Sequence, residues 1–197
     1  MTRLARGLTE VLTPVVPVLV ICILCGLHSQ PGRLAGLGWG LFAGLFCAAI
    51  PYVIVEAGVR RARFSDRQVS RPEQRRRAYL LGIGSVVVGL AAMLLLGAPV
   101  LLLWALGTMC AGLLLAAGIT LLGIKVSLHL FCLSALLAFL ALLLDPRWLL
   151  AAPVLLPLLG WARLHLAQHT LREVVLGTLL GPAVTLLGWS LAPLPGG

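Results

Sequence analysis

The chain has 197 residues, 60% of them hydrophobic and 11% charged, with a mean hydropathy of +1.07 and a formal net charge of +9. A water-soluble domain of this length cannot hide so much apolar surface, so its solvent is lipid. Its six acidic residues include no D-x-x-D pair, which excludes enzymes that hold magnesium on a diphosphate between aspartate-rich motifs.

Taken in chain order, "MTRLARGLTE" followed by an apolar run has the outline of a signal peptide. No small-x-small cleavage site follows, so it reads as a retained first span. With about 20 apolar residues needed per crossing, spans are expected near 9–27, 35–58, 78–96, 99–122, 127–145, 148–163 and 171–192, the sixth being the shortest. "HSQPGR", "GAP" and "DPR" supply tight turns on one side. The fold expected is an all-α polytopic transmembrane bundle of six to seven spans, forming one domain over residues 1–197. Cys22, Cys25, Cys47, Cys110 and Cys132 lie inside apolar runs and behave as small hydrophobes. Trp39, Trp104, Trp148, Trp161 and Trp189 suit interfacial anchors.

Charge divides the two sides. With seven spans, all basic residues except Arg33 and Arg147 fall on the side of the N-terminus. The positive-inside rule then places that face in the cytoplasm. Three polar stretches open on it: "RRARFSDRQVSRPEQRRR" (60–77), "KVSLH" (125–129) and "RLHLAQHTLRE" (163–173). Arginine's planar fork matches phosphate oxygens, so an arginine cluster at a bilayer surface points to a phosphate-bearing lipid. His169 and Glu173 stand one helical turn apart and share a face. A carboxylate there can accept from one imidazole nitrogen and leave the other to attack phosphorus. Glu56 is a structural partner for the arginines; His165 and His28 carry no motif role.

The spacing Arg163-x5-His169-x3-Glu173 resembles the third motif, S-R-x5-H-x3-D, of the type 2 phosphatidic acid phosphatase family, which shares its fold with the vanadium haloperoxidases. "VSLH" (126–129) is similar to that family's second motif, P-S-G-H, and the arginine-rich stretch stands where its first motif, K-x6-R-P, belongs. "HTLREVVLGTLLG" resembles the family's final helix, and the resemblance covers about residues 60 to 185. It implies that His169 is the nucleophile forming a phosphohistidine, that Glu173 orients it, and that His129 protonates the leaving alkoxide. Arg163, Ser127 and arginines of the first stretch would cradle the phosphate, and no metal or cofactor is implied. The substrate expected is a lipid phosphate, the other partner is the bilayer of a bacterial inner membrane, and nucleic acid is not expected.

The departures from the family pattern are specific. Glu173 replaces Asp, Ala162 replaces the motif's Ser, and "VSLH" lacks Pro and Gly, with Lys125 supplying a charge just before it. The first motif has two open registers. Arg71-Pro72 is literal but has Phe64 at the lysine position, whereas a shifted register uses Arg75 with Gln68 or Arg67. "D-x-x-V" at Asp66–Val69 is similar to an actinobacterial variant. The alternative from another class is a degraded member that binds a phospholipid or protein without hydrolysis, and a haloperoxidase is a third reading. A transporter is disfavoured because the polar groups cluster at one surface and the halves are unrelated.

Overall fold

A backbone in hydrocarbon has no water to bond, so runs of Leu, Ala and Val close their hydrogen bonds internally as helices. A computed structural model describes residues 1–30, 32–67, 69 and 71–192. Among these, every regular element is helical. Six stretches are long and apolar enough to cross a membrane: Thr2–Ser29, Arg33–Arg60, Glu73–Leu95, Val100–Leu121, Pro146–His165 and Leu171–Ser190. A seventh apolar helix, Leu128–Leu143, is shorter. At 1.5 Å per residue it measures roughly 24 Å, less than the ~30 Å of a hydrocarbon core. The shortest of the seven apolar stretches is therefore the fifth and not the sixth, because a 3-10 turn at Pro146–Ala151 lengthens the sixth.

The chain divides into two compact units, residues 1–21 with 118–192, and residues 22–117. In the second of these, α2 (Val15–Ser29, most of it in this unit) and α3 (Arg33–Gly44) cross on small residues. A Cβ added at Gly40 would stand 2.7 Å from the Ile23 Cα. A π-helical turn at Leu45–Ala49 carries α3 into α4 (Ile50–Arg60). Ser85 donates 2.7 Å to the Phe46 carbonyl within that turn. α5 (Pro72–Leu95) begins earlier than the apolar run suggests. Proline at its first position needs no N–H partner there, so Arg75, Arg76 and Arg77 lie on a helix instead of in a loop. α6 (Val100–Leu121) follows the turn at Gly97.

The other unit starts with a break in the first expected span. α1 (Thr2–Val11) ends at Leu12, and Pro14, which has no N–H to donate, separates it from α2. α1 buries Ala5 and Thr9 and packs on α8 (Ala152–His165). α7 (Leu128–Leu143) and α9 (Leu171–Ser190) form the tightest pair. Their crossing depends on Gly177 and Gly181, since a Cβ on Gly177 would meet the Ser127 carbonyl and one on Gly181 the Phe131 carbonyl and Ser134 hydroxyl. Such small-residue crossings let backbones approach where the hydrophobic effect offers no drive between helices. Leu130, Leu133, Leu137, Leu159 and Val174 fill the space between α7, α8 and α9. Gly181→Leu is expected to destabilise this unit by about 1–3 kcal/mol through overpacking, read as a lower thermal midpoint in detergent.

Candidate active site

α8 ends in a turn that places two motif residues. The Gln168 N–H donates to the Arg163 carbonyl (3.1 Å) and the Ala167 N–H to the Leu164 carbonyl (2.9 Å). This is the six-residue closure at which glycine normally takes the left-handed position. Here Ala167 takes it, with φ +52°, at a cost of about 1–2 kcal/mol. The turn then hands directly to α9, whose N-cap is Thr170. Thr170 Oγ1 accepts from the Glu173 N–H (3.4 Å), and the Glu173 carboxylate accepts from the Thr170 N–H (3.2 Å). The same carboxylate oxygen accepts from His169 Nδ1 at 2.8 Å.

This geometry accounts for glutamate where the resembling motif has aspartate. A capping box requires a Glu-length side chain at the third helical position to reach back to the cap amide. Glu173 therefore does two jobs, closing the helix start and orienting the imidazole. Because a carboxylate only accepts, Nδ1 donates, and in the neutral imidazole the lone pair is then on Nε2. The His169 side chain is 5% exposed and that of Glu173 19%, so the pair is sheltered without being sealed.

The second stretch docks on this turn. Lys125 Nζ donates to the Gln168 carbonyl at 2.6 Å, and the Ser127 amide donates to the Glu173 carbonyl at 3.2 Å. Gly177, one turn along α9, permits the close approach. His129, in the first turn of α7, is half-buried and within electrostatic reach of both Arg163 and His169, with the Thr9 backbone beside its ring. Lys125, Ser127, His129, Arg163, His169 and Glu173 thus gather at one end of α7, α8 and α9.

The polar atoms buried here lack partners to an unusual degree. Arg163 is 2% exposed, and its Nε and Nη1 have no hydrogen-bond partner among the described residues. Neither has Ser127 Oγ, although Ser127 is the N-cap of α7, where a serine hydroxyl ordinarily caps. Thr9 Oγ1 and Gln168 Oε1 complete the set. Over nine in ten buried polar groups in proteins are satisfied, and each exception calls for a cause.

No family model, curated protein or solved structure matches the chain.

The first stretch belongs to the other unit and has its own organisation. Arg67 gives Nε and Nη2 to the Glu56 carboxylate (2.6 and 3.1 Å), and Arg60 Nε joins at 3.1 Å. Glu56 is thus the partner of this cluster. Arg75 Nε donates to the Val69 carbonyl (3.2 Å), while Arg71 is exposed at the N-cap of α5. Gln68 lies outside the described residues. His165 stacks on Trp161, its centroid 5.3 Å away, and His28 bonds the Leu24 carbonyl. Sequence reasoning passed over Thr9 and Gln168. The only available signals were a polar Thr-Glu pair inside an apolar opening and a carboxamide directly before His169.

Proposed function

We propose that the chain is a membrane phosphatase acting on a lipid phosphate, of the type 2 phosphatidic acid phosphatase kind. The observation that carries this reading is the set of buried, unpartnered donors at Arg163, Ser127 and Thr9 beside an imidazole aligned by Glu173. Burying a guanidinium without partners costs several kcal/mol. An anion held among these groups offsets that cost, and phosphate oxygens fit arginine's fork.

In this mechanism His169 Nε2 attacks phosphorus and the bond to the lipid oxygen breaks. His129 gives its proton to the departing alkoxide. Water then attacks the phosphohistidine with His129 taking a proton, so that free phosphate leaves and His169 is regenerated. Arg163 and Ser127 stabilise the charge spreading over the phosphoryl oxygens. Lys125 holds the turn that presents His169. The preferred substrate is a polyprenyl phosphate, polyprenyl diphosphate or polyprenyl-linked sugar phosphate, ahead of phosphatidic acid. The site faces the cytoplasm from a bacterial inner membrane.

The test is phosphate release in detergent from a panel of these lipids with chelator present. The native protein is expected to release phosphate. If the lipids bind and none is hydrolysed, the chain is a lipid-binding relic, the reading favoured by Arg67 being committed to Glu56.

The two jobs of Glu173 are separable. Thr170→Ala is expected to lower stability by about 1 kcal/mol through the lost cap. Glu173→Gln keeps the cap, yet should slow phosphate release by about 10²-fold or more because the imidazole loses its charged orienting partner. Thermal midpoints and turnover measured on both variants check this division.

A further inference from the structure

Among the described residues, the buried side-chain atoms without a partner are donors or amphoteric hydroxyls with one exception. Arg163 Nε and Nη1 only donate, and the Ser127 and Thr9 hydroxyls do either, whereas Gln168 Oε1 only accepts. Gln168 is also held firmly. Its N–H is committed to the Arg163 carbonyl at 3.1 Å, and its carbonyl receives Lys125 Nζ at 2.6 Å. It follows the strained Ala167 and directly precedes His169, so its carboxamide starts from a fixed point beside the nucleophile.

A fully ionised tetrahedral anion presents lone pairs on every oxygen and repels a buried carbonyl oxygen. A phosphomonoester carrying one proton presents an O–H and satisfies it. We propose that Gln168 is a specificity residue that accepts a hydrogen bond from the protonated oxygen of a lipid phosphomonoester. The site thereby favours a ligand with a P–OH group over sulfate or a phosphodiester, neither of which has such a proton when ionised. This inference rests on the anion site described above and adds the protonation state and ester class of its ligand.

The test uses the full chain in detergent at a fixed pH near 6, where phosphate retains a proton. Calorimetry gives the affinities of inorganic phosphate and sulfate, and of a short-chain lipid phosphomonoester and the matching methyl phosphodiester. Native protein, Gln168→Leu, Gln168→Met and Arg163→Met are compared. The native chain is expected to prefer phosphate to sulfate, and monoester to diester, by about tenfold or more, the factor carried by one buried hydrogen bond. Both Gln168 variants should lose about that factor of preference while still binding anions. Equal preferences in native and Gln168 variants overturn the role of Gln168 and leave the anion site standing. Absence of anion binding in the native chain, unchanged by Arg163→Met, overturns the anion site and this inference with it. A preference for phosphate without one for the lipid monoester assigns the P–OH contact to free phosphate and overturns the lipid assignment.

Discussion

His169→Ala is expected to reduce phosphate release by about 10⁴-fold, the scale on which loss of a covalent nucleophile ordinarily falls. The reason lies in one nitrogen. Nδ1 is committed to Glu173 at 2.8 Å, so the attacking lone pair belongs to Nε2, and alanine supplies no substitute. Stability should change little, because the Glu173 carboxylate still caps the Thr170 amide when the imidazole is gone. Turnover of a lipid phosphomonoester and a thermal midpoint on the same preparation check both halves. A variant that retains turnover removes His169 from the chemistry.

Arg163→Met is expected to move stability and function in opposite directions. Arg163 is 2% exposed, with two nitrogens unpartnered among the described residues. Replacing such a group with an apolar side chain of similar volume removes its desolvation cost and stabilises by about 1 kcal/mol or more. The same change deletes the main positive donor at the phosphate position and should lower phosphate release by about 10²-fold or more. A structural arginine behaves otherwise, since its removal lowers stability. Gain of stability with loss of turnover marks a residue kept for its ligand and not for the fold. Denaturation in detergent alongside steady-state rates distinguishes the two.

The parts of this site that were legible from the sequence share a property: they depend on short-range spacing. Arg163 in the last turn of α8, His169 in the connecting turn and Glu173 in the first turn of α9 lie within eleven residues, so their separations along the chain already limit where they can meet. "KVSLH" and "RLHLAQHTLRE" open on the same side by counting spans, and Ser127 does bond the Glu173 carbonyl. The turns at "GAP" and "DPR" hold because Gly97 adopts a positive φ and Asp145 accepts from the Arg147 amide at 2.7 Å.

What hydropathy could not show is where a helix stops inside an apolar run. Leu12 and Val15 flank Thr13-Pro14 with equal apolarity, so the span expected at 9–27 hid the break that frees α1. That break is why Thr9 went unnoticed as a neighbour of His129. Likewise, Val126 and Leu144 extend the fifth apolar run beyond the helix that ends at Leu143. Pro72 is the local signal that the arginines at 75–77 are helical, because proline suits the first position of a helix. The exchange of aspartate for Glu173 keeps the carboxylate, and the capping box gives it a local physical reason.

The most direct measurement is to quench the protein with base during turnover of a phosphate-labelled lipid and locate any bound phosphoryl group by peptide mass spectrometry. A base-stable, acid-labile phosphoryl group on His169, absent from His169→Ala, is the expected result. Turnover without label on His169, or label on another residue, contradicts the nucleophile assigned to this site.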